Sequence, residues 1–321
     1  MRRNFIQRFL IFSKIGHNHL KMGSFKELSE FLIFQKIKAI ISILPRKLCL
    51  FLGRALGLIF YYLDKRHRLI ALSNLKIAFE TQLPPSELKK IARNSFKHFG
   101  EFSMDIIKFP RLGEKQKNAL MHVEGEENLL DALNKKKGVL IFSAHYGNWE
   151  LAENFLSKKG KLNVVARALD NRLLEKELIK FRARLGAKVI YKHQATKQIL
   201  QSLRAKEMIA IVIDQNVQRQ YAVFVDFFGK KAATTPSLAA FFLRTKSPIV
   251  PLLCYPTSSH GYHLKLLGPL KITLGEDYNQ EILKITQICT KIIETQIRKN
   301  PEYWLWFHNR WKTRPEGEKE G

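Results

Sequence analysis

The feature that most constrains the fold of this chain is a regular alternation of short apolar runs with amphipathic segments, which starts at Gly138. The short runs have the length and composition of buried parallel strands, and helical patterns of about 10–15 residues separate them. The runs are GVLIFSA (138–144), LNVVA (162–166), AKVIY (187–191), EMIAIVID (207–214), PIVPLLC (248–254) and HLKLLG (263–268). This alternation predicts an α/β fold, namely an αβα three-layer sandwich with a largely parallel central sheet.

The first third of the chain has a helical pattern and a different composition. Residues 1–75 contain 14 Lys and Arg and three Asp and Glu, which gives this stretch a net charge of +11. It is also strongly apolar, as in FLIFQKIKAIISILPRKLCLFLGRALGLIFYYL (31–63). A basic and apolar segment is typical of a protein that lies on an anionic membrane surface, whereas nucleic-acid-binding arms are usually basic and polar.

The longest uncharged run of this segment bears on whether it crosses the bilayer. That run covers only residues 55–63, between Arg54 and Asp64, and a spanning helix needs about 20 predominantly apolar residues. We therefore favour helices that lie in the membrane interface, with a tilted single span or a pair of ordinary core helices as the alternatives. Residues 1–13 lack a long apolar region followed by a cleavage site, so we expect no cleavable signal peptide and a chain that stays on the cytoplasmic side.

The charge of the whole chain narrows the classes of partner. Its 321 residues include 55 Lys and Arg and 28 Asp and Glu, a net charge of +27, which suits nucleic acid, an anionic membrane or an acidic substrate. No RNP, zinc-finger or helix-turn-helix signature is present, so we expect no nucleic-acid partner. The three cysteines, Cys49, Cys254 and Cys289, are far apart and odd in number, which favours a reducing compartment over a disulfide framework.

The segment SAHYGNWE (143–150), at the end of the first apolar run, holds the strongest candidate for chemistry. His145 and Glu150 would not share a face of one continuous helix, but a turn at Gly147 and a helix capped by Asn148 would let them meet. The carboxylate could then accept from one ring nitrogen and leave the other as a base for a substrate hydroxyl. A loop histidine and an ordinary first-turn acid would give the same spacing. HExxH is absent and no ligand pair stands at zinc spacing, so we expect no metal.

SAHYGNWE resembles the H-x4-D/E signature of glycerolipid acyltransferases, in the HxGNWE form of the late lipid A biosynthesis acyltransferases. The resemblance covers most of the chain, from about Leu69 onward. It continues through NVVARALDN (163–171), VIDQNVQRQYAVFVDFFGKKAATTPSLA (212–239), PIVPLLC (248–254) and NPEYWLWFHNRWK (300–312). Because five blocks occur in order, the match is far more specific than HxxxxE alone.

The resemblance implies transfer of a fatty acyl chain from a thioester to a hydroxyl of a lipid A precursor. His145 would be the general base and Glu150 its orienting partner, without an acyl-enzyme intermediate. The implied partners are the glycolipid acceptor, the membrane surface and acyl carrier protein, with acyl-CoA as the other possible co-substrate and no further cofactor. An alternative keeps this chemistry and changes the acceptor to another glycolipid, such as a phosphatidylinositol mannoside. The implied location is the inner (cytoplasmic) membrane, with the catalytic domain on its cytoplasmic face.

The resemblance also implies substrate-binding residues in the later blocks. Arg167, beside Asp170, would bind a substrate phosphate or the donor, and a solvated ion pair is the simpler alternative. Asp214 and Gln215 resemble the family's DQ pair and would shape the site, unless their role is purely structural. Further expected substrate contacts are Phe228 and Gly229 at a turn, Thr235 near the start of the following helix, and Arg310 at the family's basic position.

These expectations divide the chain into three parts. Residues 1–68 would form the basic, apolar, membrane-associated helical region, and residues 69–312 the α/β acyltransferase domain. Residues 313–321 would form a flexible tail. The aromatic cluster YWLWFHNRW (303–311) would line an acyl groove, lie at the membrane interface or close the core, which is the commonest fate of such clusters.

Overall fold

The computed structural model of the chain describes residues 25–191 and 195–318. The predicted membrane-associated region, 1–68, therefore lies partly outside the described residues. Four helices open the described chain: α1 (Phe25–Ile43), α2 (Arg46–Leu63), α3 (Lys65–Phe79) and α4 (Pro85–Lys108). The later helices are α5 (Glu114–Leu120), α6 (Glu126–Asn134), α7 (Ala152–Leu156), α8 (Arg172–Arg184), α9 (Ala195–Arg204), α10 (Ser237–Thr245) and α11 (Tyr278–Lys299).

A seven-stranded sheet forms the centre of the molecule, as the alternation of apolar runs predicts. The strands of the chain are β1 (Met121–Glu124), β2 (Val139–Ser143), β3 (Leu162–Ala166), β4 (Ala187–Tyr191), β5 (Met208–Val212), β6 (Val223–Phe227), β7 (Lys230–Thr234), β8 (Ile249–Pro256) and β9 (Tyr262–Leu266). The sheet order is β1-β9-β8-β2-β5-β3-β4. From β8 to β4 all neighbours are parallel, whereas β9 is antiparallel to β8 and parallel to β1. The predicted α/β class and largely parallel sheet are confirmed.

Alternate residues of β2 enter two different apolar cores, one on each face of the sheet. Leu140 and Phe142 belong to a core shared with α3, α4, α9, α10 and α11, and Val139 and Ile141 to a core shared with α6, α7 and α8. Each of the four side chains is at most 1% exposed. Burial on both faces explains why the strand is a continuous apolar run, and it gives the three layers that the sequence predicts.

The sequence pattern does not predict two parts of the fold. β1 is a four-residue strand at the sheet edge that pairs with β9 and lacks an apolar run. β6 and β7 form a separate antiparallel hairpin in which Phe227 pairs with Lys230. Phe228 and Gly229 make its turn with φ of 55° and 75°, and glycine suits such a left-handed position.

α2 packs against α4 at very short range because small residues lie at the contact. A Cβ atom on Gly53 would lie 2.5 Å from the backbone oxygen of Gly100. One on Gly57 would lie 2.2 Å from the backbone oxygen of Phe96. Only glycine fits these two positions of α2 without moving α4.

α2 also carries large apolar side chains that are exposed, and α1 adds to the same kind of surface. Phe51 is 66% exposed and Phe60 is 58% exposed. The other large exposed apolar side chains of the two helices include Ile33, Ile37, Ile40, Leu48, Leu56, Ile59 and Leu63. Among the helices that the structure describes, none is both long and apolar enough to span a membrane.

All three cysteines are buried and unreactive. Cys49, Cys254 and Cys289 are each 0% exposed and none is in a disulfide. Burial raises the pKa of each thiol above its ordinary value. Since the thiolate is the reactive form, none of the three is placed to react with solutes.

The predicted flexible tail, residues 313–321, starts with a residue that is held by side-chain contacts. Thr313 is 8% exposed, and its hydroxyl oxygen accepts from the side-chain amide of Asn216 at 3.0 Å. Its own N–H donates to the amide oxygen of Asn216 at 3.2 Å. The last three residues, 319–321, lie outside the described residues.

Candidate active site

His145 lies just beyond the carboxyl end of β2, and Asp214 lies just beyond the carboxyl end of β5. Because β2 and β5 are parallel neighbours, the two residues meet at the same edge of the sheet. Asp214 accepts from the backbone N–H of His145 at 2.9 Å and contacts ring atom Nδ1 at 2.8 Å. The indole N–H of Trp304 donates to the same carboxylate at 2.7 Å. Asp214, only 4% exposed, is thus fixed by three donors.

The charge of Asp214 determines the tautomer of His145. Burial opposes ionisation of this carboxyl, but the His145 charge and hydrogen bonds and the Trp304 indole lower its pKa well below the ordinary value. An ionised carboxylate only accepts, so Nδ1 of His145 carries a proton. Atom Nε2 lies 3.2 Å from the side-chain amide nitrogen of Gln215. In neutral His145, Nε2 therefore has the lone pair that can take a proton from a substrate.

The structure corrects the prediction that Glu150 orients His145. Glu150 instead forms a bidentate salt bridge with Arg182 of α8, at 2.7 and 3.0 Å, and both residues are buried. Gly147 makes the predicted turn with φ of 63°. The chain after it places Trp149 against the imidazole, with ring centroids 4.8 Å apart, and directs Glu150 toward α8.

A second carboxylate shares the guanidinium of Arg182. Glu153 lies 3.8 Å from Arg182 and is 6% exposed. Burial, and then the charge of Glu150, raise the pKa of Glu153 well above its ordinary value. Since the protonated form of Glu153 is favoured, Arg182 pairs with Glu150. This ion pair ties the turn after His145 to α8.

Asn148 also differs from its predicted role as a side-chain cap. Its amide donates to the hydroxyl of Tyr262 at 3.2 Å, and that hydroxyl donates to Asp105 at 2.5 Å. Arg46, at the start of α2, binds the same carboxylate through two nitrogens at 2.9 and 2.5 Å. A chain of polar contacts therefore links α2 to the turn beside His145.

Arg167 and Asp170 form the solvated ion pair that was the simpler interpretation of this segment. They lie in the loop after β3, 3.1 Å apart, with side chains 77% and 93% exposed. The pair lies at the same edge of the sheet as His145, since β3, β5 and β2 are parallel. The structure gives neither residue a contact with the His145–Asp214 pair.

The structure also corrects the prediction that Arg310 meets substrate, because the residue is fully buried. One guanidinium nitrogen donates to the carbonyl of Ala233 at 2.6 Å, and another to the hydroxyl of Thr234. Burial lowers the pKa of Arg310 to about 10, although the charge of Asp214 acts in the opposite direction. Arg310 therefore holds β7 against the C-terminal segment.

The hairpin residues do not lie at the cleft beside His145. Phe228 is 6% exposed, with its ring 4.5 Å from the guanidinium of Arg298 on α11. Gly229 makes the predicted turn, with open space around it. The hydroxyl of Thr235, an expected substrate contact, accepts from the backbone N–H of Ser237 at the start of α10, at 3.3 Å.

A small aromatic cleft surrounds His145. Its walls come from α4, from the turn after β2 and from the C-terminal segment. The lining residues are Ser95, His98, Phe99, Phe102, His145, Gly147, Trp149, Tyr303, Trp304 and Leu305. Trp149 stacks on Phe102 with centroids 4.5 Å apart. His98 lies 3.1 Å from the carbonyl oxygen of Gly147, to which its Nε2–H donates, and burial lowers the pKa of His98 to about 4, so it is neutral.

Sequence reasoning missed the α4 wall and Trp304. Ser95, His98, Phe99 and Phe102 follow the i, i+3, i+4, i+7 spacing of one helix face. A serine and a histidine on an otherwise aromatic stripe are the signal that could have identified this wall. Trp304 has no local signal beyond its membership of the C-terminal aromatic cluster.

The described residues contain no group of three or more His, Cys, Asp or Glu side chains placed to hold a metal ion. The polar groups in contact with His145 are the carboxylate of Asp214 and the amide of Gln215, and the walls of the cleft are aromatic. A histidine fixed by a buried carboxylate, at the carboxyl edge of a parallel sheet, is an arrangement that can serve an α/β enzyme as a general base.

Comparison with known proteins identifies the family to which this chain belongs. Residues 22–313 match the model of the family described as bacterial lipid A biosynthesis acyltransferase, and the chain belongs to that family of acyltransferases.

Curated relatives match over most of their length. The chain is 26% identical over 277 residues to the lipid A biosynthesis palmitoleoyltransferase of Escherichia coli K12, covering 86% of this chain and 88% of the relative. It is 25% identical over 276 residues to the lipid A biosynthesis lauroyltransferase of the same organism, covering 85% and 88%. A phosphatidylinositol mannoside acyltransferase of Mycolicibacterium smegmatis is 20% identical over 234 residues, covering 71% and 75%.

Proposed function

We propose that the protein transfers a fatty acyl chain from an acyl thioester to a hydroxyl of a lipid A precursor, with His145 as the general base. The observation that carries this proposal is the Asp214–Nδ1 contact of 2.8 Å, which leaves Nε2 of His145 as the base. As the acceptor oxygen attacks the thioester carbonyl, Nε2 takes the hydroxyl proton. The new C–O bond replaces the C–S bond, and the proton then passes from the imidazolium to the leaving thiolate.

The lipid A precursor is favoured as acceptor by the family and by the relatives with about 25% identity. The phosphatidylinositol mannoside relative is more distant, at 20%, and that glycolipid is the alternative acceptor. For the donor we favour acyl-acyl carrier protein, because a net charge of +27 suits an acidic protein partner. Glu150 then acts at a distance, as a residue that holds the turn through Arg182.

The exposed apolar side of α1 and α2 supports a place on the membrane. Large apolar side chains such as Phe51 and Phe60 are exposed on α2, which also carries the exposed basic residues Lys47 and Arg54. Such a surface lies in the lipid interface, with apolar groups in the acyl region and cations at the headgroups. We assign the protein to the cytoplasmic face of the inner membrane.

The test is acyl transfer by purified protein with a tetra-acylated, Kdo-bearing lipid A precursor as acceptor. Acyl-acyl carrier protein and acyl-CoA are compared as donors. We expect the His145→Ala variant to lose at least about 100-fold in rate because it lacks the base. His122→Ala, which removes an exposed histidine on β1, is the matched control and should retain the wild-type rate. Near-normal turnover by folded His145→Ala would refute the role of His145, and acylation of a phosphatidylinositol mannoside alone would refute the acceptor.

A further inference from the structure

A second concave site lies apart from the cleft, between α1, the end of α4 and α8. It is a groove of about 280 Å³, at the lower end of the range of about 300–1,000 Å³ that is usual for ligand sites. Its apolar lining includes Phe34, Ile106, Leu174 and Phe181. None of the residues that line this groove also lines the cleft beside His145.

The rim of the groove carries two arginines without a carboxylate partner. In the part of the chain that the structure describes, no Asp or Glu oxygen lies within 4 Å of the guanidinium of Arg111 or Arg184. Glu177, the acidic residue of the lining, is already bound by Lys38 and Lys180. Burial, and then the positive charge of Arg184, lower the pKa of Arg111, although the charge of Glu177 acts in the opposite direction. Two cations that repel each other at the mouth of an apolar groove favour an anion between them.

The groove is continuous with the exposed apolar surface of α1. Phe34 and Lys38 line it, while Ile33, Ile37 and Ile40 of the same helix are 42–59% exposed. A molecule that enters from this surface needs an apolar chain for the lining and a negative charge for the rim. An acidic protein segment supplies only the charge, and inorganic phosphate lacks the chain.

We propose that this groove binds one anionic glycerophospholipid of the membrane, such as phosphatidylglycerol. One acyl chain lies on the lining of Phe34, Ile106, Leu174 and Phe181, and the phosphate lies between Arg111 and Arg184. The bound lipid joins α1 to α8, and α8 holds the turn beside His145 through Arg182. The inference does not depend on the reaction proposed above, because the groove and the cleft share no residue.

The experiment is native mass spectrometry of the full chain in detergent, after incubation with equal amounts of phosphatidylglycerol and phosphatidylcholine. We expect the wild type to retain one phosphatidylglycerol per chain. The double variant Arg111→Gln/Arg184→Gln should reduce that retention at least tenfold. The control Lys135→Gln/Lys137→Gln removes two exposed charges after α6 and should retain the lipid as the wild type does.

Several results would overturn the proposal. One is a wild type that retains no lipid, and another is a wild type that retains phosphatidylcholine as well as it retains phosphatidylglycerol. A third is an Arg111→Gln/Arg184→Gln variant that retains as much phosphatidylglycerol as the wild type. Displacement of the lipid by glycerol phosphate would show a site for the phosphate alone. Displacement by the lipid A precursor would assign the groove to the acceptor, and displacement by acyl carrier protein would assign it to that protein. Lipid retention is measured without turnover, so failure here leaves the proposed reaction untouched.

Discussion

Two buried carboxylates near His145 have different partners and therefore different roles. Asp214 contacts the imidazole directly, whereas Glu150 contacts Arg182. Removal of the Asp214 carboxylate changes the tautomer and orientation of the His145 imidazole. Removal of the Glu150 carboxylate leaves the buried guanidinium of Arg182 without its ion-pair partner. The two effects can be separated by measuring the rate and the stability of the same variants.

We expect Asp214→Asn to lower the rate of acyl transfer by about 10²- to 10⁴-fold, since an amide can hold the imidazole in the wrong tautomer. Glu150→Gln should instead lower the free energy of unfolding, on the order of 3 kcal/mol, because it breaks a buried pair. Glu153→Gln is the matched control. Its amide resembles the protonated form of Glu153 that burial and the charge of Glu150 favour, so this variant should change the free energy of unfolding little.

Denaturant unfolding and the pH dependence of the rate measure these effects. The pH profile of Glu150→Gln should match that of the wild type, while Asp214→Asn should alter it. If folded Glu150→Gln lost activity as Asp214→Asn does and changed the pH profile, the assignment of Asp214 as the partner of His145 would be wrong.

At the level of elements, the contact between α2 and α4 links the exposed apolar surface to the cleft wall. α4 presents His98 and Phe102 to the cleft on one side. It meets Gly53 and Gly57 of α2 on another. The position of the cleft wall therefore depends on how closely α2 can approach.

We expect Gly53→Ala to lower the free energy of unfolding by about 1–3 kcal/mol, because its Cβ would lie 2.5 Å from the backbone oxygen of Gly100. Gly160→Ala is the matched control, since its Cβ would make an ordinary 3.6 Å contact with Met208. Thermal and denaturant unfolding give the comparison. Equal free energies of unfolding for the two variants would mean that α2 and α4 can move apart without loss of stability.

At the level of the whole molecule, buried neutral histidines make stability depend on pH. The pKa of His98 is about 4 in the folded chain and about 6.5 when unfolded. Above pH 6.5 both states are neutral and His98 has no effect. As the pH falls from about 6.5 to about 4, the unfolded chain binds the proton first, so stability decreases.

We expect His98 to remove about 2 kcal/mol of stability between pH 7.5 and pH 5. His98→Gln keeps a donor for the Gly147 carbonyl but does not titrate. Between pH 7.5 and pH 5 this variant should therefore lose about 2 kcal/mol less of its free energy of unfolding than the wild type does. His122→Gln, at an exposed position, should behave as the wild type. Unfolding curves at the two pH values test this, and an unchanged pH dependence in His98→Gln would contradict it.

The sequence predicts the sheet well because its strands are buried on both faces and so appear as continuous apolar runs. His145 is identified as a candidate because it directly follows such a run, and Asp214, which ends another, because Asp214 and Gln215 resemble the family's DQ pair. Their pairing is not predictable from spacing, because it depends on β2 and β5 being neighbours in the sheet order. Glu150 is the obvious partner in sequence, but the turn at Gly147 directs it elsewhere. Arg310 is a similar case, since only the packed structure shows its burial.

The three buried cysteines have a practical consequence. A reagent that labels accessible thiols should leave Cys49, Cys254 and Cys289 unmodified in the folded chain, since each is 0% exposed. A Phe60→Cys variant, at an exposed position of α2, would then carry a fluorophore without removal of any native cysteine. Its emission with and without vesicles would report directly whether this helix enters the lipid.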